Sequence, residues 1–229
     1  MYIKQIEALS KVAGLIASGM YLDELLRLIV QVTAEALDSK ISSLMLLDPT
    51  TNELVIKATQ SVSEEYNKKP NLKLGEGIAG LVAKENKPIV VVDLQKDSRY
   101  INKDLARKEG LVSLASVPLA IKGRVLGVLN CYTSHRHEFT KAEISILTAL
   151  AHQAAIAIDN AELALRAKSA EEALATRKLI ERAKDILAQD AGIPPQQAYR
   201  LMQKQSMDSR KSMRDIAEAI ILASEVKKK

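Results

Sequence analysis

From Thr140 to Ala191 the chain contains neither proline nor glycine. Those are the two residues that most reliably interrupt a helix, one by removing a donor and clashing with the preceding turn, the other by its conformational freedom. Within this span Ile144, Leu147, Ala151, Ala154, Ile158, Ala161 and Leu165 recur at alternating spacings of three and four, which is one face of a helix. Thr140 and Glu143 stand three apart just ahead of that face, the spacing of a reciprocal N-terminal capping box. Gly192 then supplies a stop, and Pro194–Pro195 forbid continuation. The pattern predicts a single helix of about 50 residues and roughly 75 Å. Helices much longer than about 25 residues usually pair as coiled coils, so the stripe predicts a seam against a second copy. It lapses at Lys168 and Glu172, where a register shift or bend is expected.

Ahead of this helix the period changes. Residues 3–17 place Ile6, Leu9, Ala13 and Ile16 on one helical face, ended by Gly19, and a second helix is expected over Leu22–Leu37. Strands are expected over Ile41–Leu47 and Glu53–Ala58, joined by a turn at Asp48–Asn52. Residues 63–73 read as irregular or weakly helical. A short helix opens at Gly75–Val82, a buried strand follows Pro88 over Ile89–Val92, and Asp97–Lys108 is loop or short helix. Leu114–Ala120 and Val125–Tyr132 form a hairpin around Lys122–Arg124. Five or six strands with helices before and after imply an α+β domain with a central antiparallel sheet and flanking helices. Beyond Gly192, Ala198, Leu201, Met202 and Gln205 mark the inner face of one short helix. Ser206–Ser209 reads as a turn. Met213, Ile216, Ala217, Ile220 and Ala223 mark the inner face of another. With the end of the long helix they make a C-terminal three-helix bundle.

Charge divides unevenly. Residues 1–160 carry nineteen Lys and Arg against eighteen Asp and Glu, whereas residues 161–229 carry fourteen against ten. The basic excess in the last third suits a polyanion or a solvated lysine-rich surface. The single cysteine, Cys131, excludes an internal disulfide, fits a reducing cytoplasm, and reads as a small buried hydrophobe on a strand. Lys4 and Glu7 break the apolar start too early for a signal peptide, and no run approaches the roughly 18 apolar residues of a membrane span. His135 and His137 read as solvated loop residues and His152 as a helix-surface residue, so no metal site is expected. Gly75, Gly77 and Gly80 match a dinucleotide fingerprint by letter but follow no clear strand, and no P-loop or nucleophile elbow occurs. No catalytic residue is expected, and the chain does not read as an enzyme.

The segments Leu74–Gly80, Pro88–Asp93, Ser113–Leu119, Gly123–Asn130 and Ala151–Asn160 together resemble a GAF domain. The resemblance implies a sensory module that holds a small molecule between sheet and loops, or simply dimerises. It leaves open an unidentified small-molecule effector. The stretch Arg136–Glu143 keeps only Phe139 and one acid of the cyclic-nucleotide signature, Cys131 is not in a pocket loop as a covalent bilin requires, and one cysteine is too few for the sulfoxide reductases of this fold.

Residues 174–221 are similar to an ANTAR domain over Leu174–Leu187, Gly192–Met202 and Ser206–Ile220, with Asp185 and Leu187–Ala188 departing from common choices. The resemblance implies transcription antitermination through binding of paired hairpin loops in nascent RNA, by a dimer. A helical wheel puts Arg177 and Lys184 on one flank of the first bundle helix and Lys178 and Arg182 on its outer face. Tyr199 and Lys204 fall on the second helix, and Arg210, Lys211 and Arg214 are assigned to the third. An aromatic among cations suits unpaired bases, by stacking and by phosphate neutralisation. The expected organisation is a GAF domain over 1–160, a coiled-coil linker over 161–173 and an RNA-binding bundle over 174–229. A GAF-controlled helix-turn-helix DNA regulator and a protein-interaction adaptor stay open as alternatives. The first would offer only Tyr199, Arg200, Gln203 and Lys204 to a major groove.

Overall fold

The computed structural model describes residue 14 and residues 21–227. Apart from residue 14, the expected helix over 3–17 and its stop at Gly19 lie outside the described residues, as do the last two lysines. The chain forms two compact units that divide between Ala161 and Glu162.

The first unit runs α1 (Leu22–Ala36), β1 (Ile41–Asp48), β2 (Glu53–Thr59), α2 (Glu64–Asn67), β3 (Leu72–Lys73), α3 (Gly77–Glu85), β4 (Ile89–Val91), α4 (Lys103–Lys108), β5 (Ser113–Ile121) and β6 (Arg124–Thr133), then enters α5 (Lys141–Ala191). Its six strands lie in the order β3-β2-β1-β6-β5-β4, and every pairing is antiparallel. The short β3 was not expected. It precedes the glycine-rich turn, where the Gly75 N–H donates to the Gly80 carbonyl at 2.9 Å. A Cβ on Gly80 would come within 2.5 Å of the Lys73 carbonyl oxygen. These glycines therefore allow a close backbone crossing at a strand-to-helix turn.

Side chains alternate across a strand, and here the alternation feeds two cores. Leu44, Ala115, Leu129 and Cys131 share one core with Leu26 and Ile29 of α1 and Leu147, Ala151, Ala154 and Ile158 of α5. Met45, Leu114, Val128 and Tyr132, each one position along, share the other with Ile78 and Val82 of α3. Cys131 is fully buried, as expected.

The α5 helix begins as its capping box requires. The Thr140 N–H donates to Glu143 Oε2 at 2.7 Å, and the Glu143 N–H donates to Thr140 Oγ1 at 3.2 Å. His137 departs from the solvated reading: its Nε2 lies 3.0 Å from Glu143 Oε1, and its ring packs edge-on against Phe139. The predicted seam is also spent differently. As far as Ile158 it packs into the core that it shares with the chain's own sheet and α1. Large exposed apolar side chains on this helix begin only at Leu163 and Leu165.

Gly127 sits on β6 where it pairs with both β1 and β5. A Cβ there would overlap the Met45 carbonyl oxygen and approach the Leu46 Cα to 2.9 Å. Both obstacles are backbone and cannot rotate away. Gly127→Ala is expected to lower stability by about 3 kcal/mol, read as a lower urea midpoint; an unchanged midpoint would contradict this packing.

Candidate nucleic-acid interface

The second unit comprises the rest of α5, then α6 (Pro195–Ser209) and α7 (Met213–Lys227). Pro195 opens α6 with its fixed φ. Contrary to the expected turn at Ser206–Ser209, α6 continues to Ser209. Arg210 then closes it in the left-handed region at φ 55°, and the Ser206 hydroxyl donates to the Lys211 carbonyl at 2.6 Å. Arg210 and Lys211 thus belong to the α6–α7 turn and not to the third helix. The α7 start has its own capping box, which sequence reading missed although Ser212-x-x-Asp215 is legible there. The Ser212 N–H and hydroxyl donate to Asp215 Oδ2 at 3.0 and 2.7 Å, and the Asp215 N–H returns to Ser212 Oγ at 3.1 Å.

The bundle core is small. Ala183, Met202, Ile216, Ala217 and Ile221 are buried, with Leu179, Ile180, Ile186, Leu187, Met213 and Ile220 packed partly against them. Three positions assigned inward are exposed: Leu201 at 46%, Gln205 and Ala223. Ile221 and Ser224 take the inner positions on α7 instead. In a bundle this small one helix face cannot be fully covered, so a wheel drawn with a wide apolar stripe overcounts the core.

Two grooves flank this core. One, of about 640 Å³, is walled by Arg177, Ile180, Tyr199 and Arg214, with the carboxylates of Glu172 and Glu181 at its border. It joins α5, α6 and the start of α7. Tyr199 is 37% exposed. The other groove, of about 700 Å³, lies between α6 and α7. It carries Lys204 and Lys211 beside Asp208 and Asp215, over an apolar floor including Leu201 and Ile220. Of the nine residues singled out from sequence, Arg177, Tyr199 and Arg214 meet in the first groove and Lys204 and Lys211 in the second. Lys178, Arg182, Lys184 and Arg210 line neither.

Several of these cations already have carboxylate partners. Arg214 Nε donates to Glu218 at 2.8 Å, and Arg182 reaches from α5 to Glu225 on α7 at 3.0 Å. Half-buried Lys184 is held by Glu181, with Asp185 at 3.9 Å. The hydrogen bond from Lys184, followed by its charge, holds the Glu181 carboxyl below its ordinary range. Among the described residues Arg177, Lys178, Lys204 and Arg210 make no side-chain hydrogen bond or ion pair. Exposed pairs of this kind contribute at most about 1 kcal/mol each, so a polyanion can displace their carboxylates. No cluster of three or more metal-ligating side chains occurs among the described residues. None of the described helices is long and apolar enough to cross a membrane.

A six-stranded antiparallel sheet between helical layers, followed by a three-helix bundle, defines a two-domain signal-transduction regulator. The chain belongs to the GAF domain family, whose model matches residues 20–159, and it carries an ANTAR domain over residues 168–221. It is similar to the methyl sulfide methyltransferase-associated sensor of Methanosarcina acetivorans, at 29% identity over 73% of this chain and 17% of that one. It is also similar to a protein of Escherichia coli described as phosphoenolpyruvate-dependent phosphotransferase system, at 26% identity over 68% of this chain and 21% of that one. The chain thus spans about a fifth of the length of these curated relatives. The GAF domain of a phosphoenolpyruvate-protein phosphotransferase from Coxiella burnetii superimposes with a TM-score of 0.65 at 28% identity. That alignment covers 73% of this chain and 98% of the other.

The Ser212 hydroxyl and N–H hold the Asp215 carboxyl below its ordinary value. A depressed carboxyl contributes stability above its unfolded value and loses it as the pH falls through the folded one. Ser212→Ala should therefore lower bundle stability at neutral pH, and the difference should narrow in acid, where only the bond from the Asp215 N–H to Ser212 Oγ is left to lose. Amide exchange of α7 residues at two pH values would check it.

Proposed function

We propose that the chain is a non-catalytic, signal-responsive antitermination regulator that binds paired hairpin loops in nascent RNA. In this reading residues 1–160 sense a small-molecule effector, 161–173 link, and 174–229 bind RNA, in a cytoplasmic homodimer. The observation that carries the RNA contact is the convergence of Arg177, Tyr199 and Arg214 on one groove from three helices. A partly exposed aromatic in a groove that two arginines also line suits an unstacked base and its flanking phosphates. The antitermination role is supported by the ANTAR domain over 168–221.

Dimerisation is supported by a second stripe on α5. Leu163, Ala167, Ala170 and Leu174 are spaced four, three and four apart, and all four are exposed, the two leucines by 50% and 54%. That is an a/d seam of two heptads in the segment beyond the sheet. Leu163→Glu with Leu174→Glu is expected to convert dimer to monomer in analytical ultracentrifugation without unfolding the sheet unit; a double variant that stays dimeric would remove this seam from the reading.

RNA binding is tested by titrating the full chain with a two-hairpin RNA and with duplex DNA of equal length across a salt series. Tyr199→Ala should cost about 1–3 kcal/mol of RNA affinity. Arg177→Ala should reduce the slope of log affinity against log salt by about 1. Equal weak binding to RNA and DNA, unchanged by either substitution, would overturn the reading.

A further inference from the structure

The groove of Arg177, Tyr199 and Arg214 does not share the basic excess of its unit. Residues 161–229 carry fourteen Lys and Arg against ten Asp and Glu. The charged side chains on the groove wall are Glu172, Arg177, Glu181 and Arg214, two of each sign. Their immediate partners keep that balance. Arg214 Nε donates to Glu218 Oε1 at 2.8 Å, and Lys184 pairs with Glu181. The groove is therefore neutral within a basic unit. The exposed cations Lys178, Lys204 and Arg210 lie outside it.

Neutrality decides what can enter. Both acids and both arginines border one space of about 640 Å³. Their charges act together on its occupant, over distances comparable with the Debye length of about 8 Å at physiological salt. A backbone phosphate entering here loses to the glutamates what it gains from the arginines. A duplex presents its bases stacked and paired and its phosphates outward, with one negative charge per about 1.7 Å of axis. An unpaired base carries no charge and meets no such penalty. Its N–H groups donate to a carboxylate, and its ring nitrogens and carbonyls accept from a guanidinium. The groove wall supplies both kinds of partner together with the partly exposed Tyr199.

The two acids differ in how far they are already engaged. Glu172 and Glu181 are nine residues apart on α5, half a turn out of phase. They stand at opposite edges of the face whose middle is Ser169, Ala173, Thr176 and Ile180. Glu181 is held by Lys184. Glu172 is exposed and makes no side-chain hydrogen bond or ion pair among the described residues. It still acts on the groove: after the hydrogen bond and charge of Glu218, the charge of Glu172 helps to hold Arg214 in its charged form.

We propose that Glu172 sets the selectivity of this groove. It keeps the groove neutral, so that an unpaired base is admitted and backbone phosphate is disfavoured, and its carboxylate is free to accept a base N–H. Phosphate neutralisation then falls to the edge at Arg177 and to the outer cations Lys178, Lys204 and Arg210. This rests on the RNA reading above and names what its central groove excludes.

The test titrates the full chain and its Glu172→Gln, Glu172→Lys and Glu171→Gln variants with the two-hairpin RNA. Duplex DNA and duplex RNA of equal length are titrated alongside, all across a salt series. Glutamate, glutamine and lysine have similar helix propensity and residue 172 is exposed, so the variants should melt with the parent. Glu172→Gln should raise duplex affinity by about threefold and Glu172→Lys by about tenfold, the latter with a salt slope steeper by about 1. Hairpin affinity should change by less than about twofold, because the base loses an acceptor as the phosphates gain a cation. The ratio of hairpin to duplex affinity therefore falls. Glu171→Gln removes the same charge one residue away, outside the groove wall, and should leave that ratio at its parent value. A selective parent whose ratio is unmoved in Glu172→Lys overturns this inference and leaves the RNA reading standing. So does an equal fall in Glu171→Gln, which would assign the effect to the overall charge of the bundle. A parent that binds hairpin and duplex alike overturns the RNA reading, and this inference with it.

Discussion

The structure depends on one helix completing two hydrophobic cores. Leu147, Leu150, Ala151, Ala154 and Ile158 of α5 cover one face of the sheet, and Leu179, Ile180, Ala183 and Leu187 of the same helix supply the bundle core. Neither core is complete without it. The backbone of α5 runs as one helix from Lys141 to Ala191, and a proline between them would remove a hydrogen bond and cost about 3 kcal/mol. That requirement explains the residue choice along the helix. Alanine dominates where the helix approaches the sheet. Charged residues with good helix propensity fill Arg166–Lys168 and Glu171–Glu172, where little packing is available.

Period and punctuation made most of this legible in the sequence. The switch from alternating to 3,4 spacing, the Thr140–Glu143 box and the Gly192–Pro195 stop each carry a local mechanism, and each has its counterpart in the structure. What escaped was of two kinds. The two-residue β3 has too few residues to show a period. The misplaced bundle faces failed because helical spacing tells which residues share a face, not how much of that face a neighbour will cover. Leu201 and Ala223 lie on such partly covered faces, and Ile221 was overlooked for the same reason. The seam as far as Ile158 illustrates a third limit: a 3,4 stripe says that a helix is packed, but not whether against its own sheet or a second copy. At the interface, sequence located the cations individually. That Arg177, Tyr199 and Arg214 share a groove while Arg182 and Lys184 are occupied by glutamates depends on three helices meeting, which no local pattern encodes.

The small bundle core has an energetic consequence. Seven described residues of the bundle are buried, three of them alanine and one serine, which gives little apolar burial against the entropy of ordering three helices. Capping and interhelical pairing then carry more weight than they would in a larger domain. The Ser212–Asp215 box fixes the start of α7, and the Arg182–Glu225 pair ties it back to α5. The same weak pairs keep the surface adaptable.

Strand β6 connects the two cores of the sheet unit. Tyr132 lies in the core under α3, while its neighbour Cys131 and Leu129 lie in the opposite core with Ala151, Ala154 and Ile158 of α5. In a pleated strand these side chains are rigidly linked through one backbone, and β6 is held on both sides by β1 and β5. A shift of Tyr132 would therefore either compress a close-packed core or shift the seat of α5. The β5–β6 hairpin reinforces that seat: Lys122 and Arg124 reach Asp159 on α5 at 3.5 and 3.3 Å. An effector of the proposed sensor can bias α5 only to the extent that it binds one seat of the helix better than another.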